Sequence, residues 1–259
     1  MLKKYKKNIF DVGAFNGIDG LGLAIKNPDS MVYAFEANPE MIKTIILLKK
    51  KIEKRLGKKI KNYKYYNLAV SNEKKKSFFY IAKNRTVSSL NKFSKSIDVT
   101  WPGYKETHCH IVKKIKVKTI TLKEFIKEKK IKSIDYIHVD TQGNDLKVLK
   151  GLGKMISNLR SGKIEAAVSS NKKLYENNHT LKDVKLFFKS KNFIIKKINY
   201  VDQNIKNEVD IYFEKKNFTK TNSIKTNYNK RYLRRILDKK TYFKDNLRDW
   251  FVRLFNQFN

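Results

Sequence analysis

The chain has 259 residues, a formal charge of +35, a single cysteine and no apolar run of 18 residues, so it can bury one substantial core but holds neither an internal disulfide framework nor a membrane-spanning segment. Its opening, MLKKYKKNIF, is basic but lacks the apolar stretch and small-residue cleavage site of a secretory signal; the expected location is the cytoplasm, where a lone Cys109 stays reduced. Only 8 of the 59 basic residues are Arg, the residue that grips phosphates and bases in a fork, so the charge reads as a Lys-rich solvated surface before it reads as a nucleic-acid footprint.

Strand and helix signals alternate along the chain. Residues 8–12 (NIFDV) read as a buried strand, 17–26 as a helix, 31–36 (MVYAFE) as a second strand, 39–56 as a long Lys-rich helix and 63–70 (YKYYNLAV) as a third strand. Such repetition calls for a parallel sheet with helices on both faces. From 71 to 118 the rhythm breaks: SFFYIAKN is an extra strand, RTVSSLNKFSKS a polar loop, and HCHIVKKIKVKTI a strand of alternating apolar and basic residues. This is an insertion, and such segments shape substrate pockets in open α/β folds. Regularity returns with a helix over 121–131 capped by Thr121 and Glu124, strand 134–140 (IDYIHVD), helix 144–155, strand 164–170 and helix 181–191 capped by Thr180 and Asp183. NFIIKKINY and NEVDIYFEKK then form an antiparallel pair. The expected fold is a doubly wound, Rossmann-like α/β sheet of seven strands, mostly parallel with a C-terminal antiparallel hairpin, in residues 1–216.

After Lys216 a polar linker leads to a basic run (Lys230, Arg231, Arg234, Arg235, Lys239, Lys240) and then to Phe243, Leu247, Trp250, Phe251, Leu254, Phe255 and Phe258 on one helical face. Residues 217–259 thus read as a basic linker and a C-terminal amphipathic helix. Such a helix docks on its own domain or a partner subunit, or lies at a membrane surface; the basic run would also attract polyanions weakly.

The turn after the first strand carries Asp11 and the spacing Gly13-x-x-x-Gly17-x-x-Gly20. A dinucleotide fingerprint needs G-x-G-x-x-G, with its second glycine against the pyrophosphate. Phe15 stands there, and no phosphate-cradling G-x-x-x-x-G-K-[ST] exists, so the turn suits a nucleoside without phosphates. Glu36 ends the second strand, 19 residues after Gly17, where an acid can accept bonds from both ribose hydroxyls. S-adenosylmethionine (SAM) meets these conditions, and its cationic end would gain from Asp11.

FDVGAFNGIDG, VYAFEANPE, NLAVSN, SSL, KTITLKEFI and IDYIHVDTQGNDLKVLKG occur in the order, and near the spacing, of the FkbM-type SAM-dependent methyltransferases, which residues 8–216 resemble. Its most specific part is Asp140-x-x-Gly143-x-Asp145, where the family more often carries Glu in the last place. The resemblance implies O-methylation of a sugar, glycan or similar hydroxylated small molecule. It implies that Asp11, Gly13 and Gly17, with Phe15 between them, line the methionine part of the cofactor, that Glu36 holds the ribose, and that Asn38 and Ala69 lie near the adenine.

An alcohol acceptor must lose a proton, and Asp140, at the C-terminal end of its strand, sits where open α/β sheets bind ligands. His138, two residues earlier on the same face, is a second candidate base, with a hydrogen-bonded core histidine as the plainer role. His108 and His110 would share a strand face, half of a metal site without its remaining ligands, so no metal is expected. These two histidines, Ser88, Ser89 and Asp145 are the candidate acceptor contacts. Two other functions compete: a nucleic-acid methyltransferase, suggested by the charge but without an evident RNA module, and a non-catalytic membrane-surface protein recruited through the tail.

Overall fold

The computed structural model describes residues 5–216, 224–228, 230 and 233–234. Ten strands and six helices follow in the order β1 (Lys7–Val12), α1 (Ile18–Lys26), β2 (Ser30–Glu36), α2 (Pro39–Leu56), β3 (Tyr63–Asn67), β4 (Ala69–Val70), β5 (Lys76–Ala82), α3 (Ile97–Thr100), β6 (Ile111–Ile120), α4 (Leu122–Glu128), β7 (Tyr136–Val139), α5 (Asp145–Lys150), β8 (Ser161–Ala167), α6 (Leu181–Ser190), β9 (Phe193–Tyr200) and β10 (Glu208–Lys215). Seven strands form one sheet in the order β3-β2-β1-β7-β8-β10-β9, parallel except for β10, which is antiparallel to both of its neighbours. The expected fold class is therefore the observed one. β1 and β2 are apolar on both sides because helices cover both faces. Ile9, Val32 and Ala34 pack with α1 and α2, while Phe10, Val12 and Phe35 pack with α4 and α5.

Several element boundaries differ from the sequence reading, four of them for a clear local reason; α4 also ends at Glu128 rather than 131, and β7 spans Tyr136–Val139 rather than 134–140. The strand expected over 63–70 breaks at Leu68: the Asn67 side-chain amide donates to the carbonyls of Glu36 (2.9 Å) and Ala37 (3.1 Å), and the chain then leaves the main sheet. Ala69–Val70 pairs instead with Thr119–Ile120, and β4-β6-β5 make a second, three-stranded sheet. The strand expected from His108 begins at Ile111, because the preceding turn places His108 at φ 60°. The helix over 144–155 stops at Lys150 and continues as a 3-10 turn over Gly153–Asn158. The strand over 164–170 runs from Ser161 to Ala167, the span its antiparallel pairing with Glu208–Glu214 dictates.

The described part of the tail docks on α1. Asn27 and Lys225 exchange hydrogen bonds of 2.9 Å in both directions, the Tyr228 hydroxyl and the Lys230 ammonium both bind Asp19, and Leu233 is buried among α1, α2 and β3 residues. The expected helix over 243–258 lies outside the described residues. No described helix is long and apolar enough to cross a membrane.

Candidate active site

The strand order reverses between β1 and β7, both of which point their C-terminal ends at the same place, and a crevice opens at such a switch point. Gly13 follows β1 and Asp140 follows β7. Gly13 has φ 84°, and a Cβ there would lie 1.8 Å from the Asp140 carbonyl oxygen. The glycine is needed because two strand ends nearly touch. Gly17, at φ 80°, caps α1, and its α-carbon faces Ile45 and the Tyr63 hydroxyl.

A first cleft of about 700 Å³, counting its open mouth, runs over these strand ends and is of a size for a small-molecule cofactor. Gly13, Phe15, Glu36, Asn38, Ala69 and Asp140 line it, as do Arg85, Thr86 and Ser88 from the insertion. The Glu36 carboxylate is nearly buried and accepts two backbone N–H bonds, from Phe15 (2.8 Å) and Asn38 (2.7 Å). Burial nevertheless pushes its carboxyl up to about 7. Asn38 caps α2 by accepting from the Glu40 N–H at 3.0 Å, while its Nδ2 is buried without a hydrogen bond among the described residues. A buried donor without an acceptor costs about 1–3 kcal/mol, so this amide is poised for a ligand acceptor. These groups fit a nucleoside with free ribose hydroxyls.

A second, larger cleft of about 1170 Å³ adjoins the first; Thr86, Asp140 and Gln142 line both. Asp140 is fixed at the junction by Gln142, whose Nε2 donates to its Oδ1 at 2.6 Å. Gln142 is itself held at φ 55° and accepts through Oε1 from the buried Tyr175 hydroxyl at 2.7 Å.

Several expected contacts lie elsewhere. Asp11 is completely buried beneath the turn, on neither cleft: its Oδ1 is 2.9 Å from His138 Nδ1 and its Oδ2 has no hydrogen bond among the described residues. Burial raises the Asp11 carboxyl despite His138. Burial disfavours the His138 cation, but the bond and charge of Asp11 outweigh it and hold His138 above its ordinary value. His138 thus anchors β1 to β7 and lines a separate pocket with Tyr228 and Lys230, one that Asp140 does not line. Gly17 also lies off both clefts.

The acceptor candidates are sorted as sharply. Ser88 lines the first cleft, its Oγ accepting from the Ala82 N–H at 3.1 Å. Ser89 is buried and donates to the Gln142 carbonyl at 2.6 Å, so it braces the junction rather than facing a ligand. Asp145 is buried, accepts from the Thr141 hydroxyl (3.0 Å) and is pushed up to about 7 by burial and then by Asp140; it shapes the loop. His108 and His110 stand off both clefts with ring centroids 6.4 Å apart, and they share no strand face because of the turn. Among the described residues no three His, Cys, Asp or Glu side chains converge on a point that could hold a metal. Gln142, Trp101, Glu165 and Glu208 escaped the sequence reading. A glutamate inside the apolar strand KIEAAV was the available signal for Glu165.

The strand order and the reversed β10 are those of the SAM-dependent methyltransferase fold. The family model described as the methyltransferase FkbM domain matches residues 11–195, and the chain belongs to that family. A methyltransferase FkbM from Methylobacillus flagellatus KT superposes with a TM-score of 0.50 at 14% identity, over 80% of this chain and 43% of that one. The chain therefore spans less than half of that protein. TrmK of M. capricolum, bound to S-adenosylhomocysteine (SAH), is 15% identical with a TM-score of 0.44, covering 98% of this chain and 82% of the other. Magnesium protoporphyrin IX methyltransferase from Synechocystis PCC 6803, with bound SAM, is 9% identical with a TM-score of 0.42, covering 80% and 69%. No curated protein sequence matches the chain.

Proposed function

We propose that the protein is an O-methyltransferase that binds SAM in the first cleft and a sugar or similar hydroxylated small molecule in the second. The observation that carries this reading is the place of Asp140, the one carboxylate that lines both clefts. Glu36 would accept bonds from the ribose hydroxyls, Asn38 Nδ2 would donate to an acceptor atom of the nucleoside, and Gly13, Phe15 and Ala69 would form the apolar and backbone walls. When bound, SAM supplies a methyl group on a positively charged sulfur, already activated for displacement.

The chain's part is then to align an acceptor oxygen and take its proton. Asp140 Oδ1 accepts from Gln142, which leaves the other carboxylate oxygen to receive a hydroxyl proton as the oxygen attacks. The Tyr175–Gln142–Asp140 chain fixes the direction of that oxygen. His138, buried on Asp11, supports the strand ends and takes no part in the transfer. The test is methyl transfer from radiolabelled SAM to a panel of polyols, with Asp140→Asn beside the unmodified protein. Methylation that the substitution lowers by a hundredfold or more, with SAH affinity intact, supports the reading. Equal rates in the two proteins refute the role of Asp140.

A further inference from the structure

The second cleft is charged opposite to the rest of the molecule. The chain carries 59 Lys and Arg residues and 24 acidic ones, yet of the fifteen side chains lining this cleft four are acidic (Asp140, Glu165, Asp202 and Glu208) and none is basic. The sheet produces this concentration. His138 pairs with Lys163, so the chain leaving β7 carries Asp140 toward Glu165 on β8, and Glu208 begins the adjoining β10 on the same face as Asp210, the cross-strand partner of Glu165.

Two observations indicate that this face holds a positively charged group. Glu208 is only 7% exposed, and its carboxylate accepts a single long bond, on Oε1 from Asn178 at 3.4 Å, so Oε2 has no hydrogen bond among the described residues. A carboxylate that deeply withdrawn from water calls for a donor. The floor of the same face already carries an ammonium: Lys163 Nζ lies 2.7 Å from Asp210 and 3.7 Å from Glu165. Lys163 also acts on Asp140 through its charge, but among the described residues neither Asp140 nor Glu208 forms an ion pair with a cation. Their mutual repulsion is visible in Glu208, which burial and then Asp145 and Asp140 push up to about 8. A divalent metal does not fit, since the carboxylates do not converge on one point. Trp101 on the cleft wall suits a sugar ring or a cation.

We infer that the methyl acceptor is an amine-bearing hydroxylated molecule of the amino-sugar class, whose ammonium is held by Glu208 and Glu165 while a neighbouring hydroxyl meets Asp140. This rests on the methyltransferase reading of the two clefts given above. The same lining disfavours phosphorylated acceptors and nucleic acid, whose anions would meet four carboxylates.

The test is calorimetric titration of the full-length protein, first with SAH and then, SAH-loaded, with kanamycin and glucosamine, each beside its N-acetylated form, and with glucuronate. The amines should bind at least tenfold more tightly than their N-acetylated partners. Glu208→Gln and Glu165→Gln should erase that preference with SAH affinity unchanged within about twofold. A net charge of +35 repels polyamines non-specifically, so a preference for them reports the cleft. Binding of the N-acetylated forms or glucuronate as tightly as the amines, or no binding of any amine to SAH-loaded protein, overturns the inference. Failure of SAH itself to bind overturns the cofactor reading on which the inference stands.

Discussion

Glu36 makes cofactor affinity depend on pH in a way that can be computed. In the ligand-free protein its carboxyl is pushed from 4.5 to about 7, chiefly by burial, against the pull of the Asn38 and Phe15 N–H groups. Ribose hydroxyls donating to this group favour its ionised form and draw it back toward 4.5, so binding releases a proton below pH 7. At pH 6 the free carboxyl is about nine-tenths protonated and at pH 8 about one-tenth, so SAH affinity should fall roughly tenfold from pH 8 to pH 6, about 1.4 kcal/mol. Titration calorimetry in buffers of different ionisation heat should count about 0.9 proton released at pH 6 and about 0.1 at pH 8. In Glu36→Gln the slope should vanish and affinity should be lower at both pH values. The amino group of SAH titrates in both proteins, so the comparison isolates Glu36. A flat profile in the unmodified protein, or a slope that survives the substitution, would refute the assignment of Glu36 to the ribose.

Other outcomes follow from the same geometry. Gly13→Ala forces a Cβ to within 1.8 Å of the Asp140 carbonyl at φ 84° and should cost about 3 kcal/mol or more in urea-denaturation stability, with SAH binding lost. Leu233→Ala empties a site only 3% exposed and should destabilise by about 2–4 kcal/mol; a change under 0.5 kcal/mol would show that the tail does not dock on α1. Asp145, raised to about 7 by burial, binds its proton more tightly folded than unfolded. Its contribution is therefore complete below the unfolded value near 3.8 and lost as pH rises through 7, so Asp145→Asn should flatten the decline of stability between pH 4 and 7.

The fold was legible because it is written in periodicities. Apolar runs at 8–12 and 31–36, capping boxes at Thr121 and Thr180, and two consecutive strands at the C-terminus leave few alternatives to a doubly wound sheet ending in a hairpin. The insertion was legible as a break but not in detail: only the Asn67 side chain, bonding back to Glu36 and Ala37, explains why the chain leaves the main sheet at Leu68.

Of the candidate site, the sequence by itself pointed to residues whose backbone position suffices to put them on the first cleft: Gly13, Phe15, Glu36, Asn38 and Asp140 end or follow β1, β2 and β7, which gather at the switch point, and Ala69 opens β4 beside them. The direction of side chains was decided only by the tertiary structure. Asp11 and His138 sit opposite one another in adjacent strands, so they face the same side of the sheet and bury each other beneath the turn. His108 and His110 alternate correctly for a strand, but the turn before β6 removes the strand. Glu165 and Glu208, 43 residues apart, share an acidic cleft because β8 and β10 run antiparallel side by side, a pairing that no spacing within either segment contains.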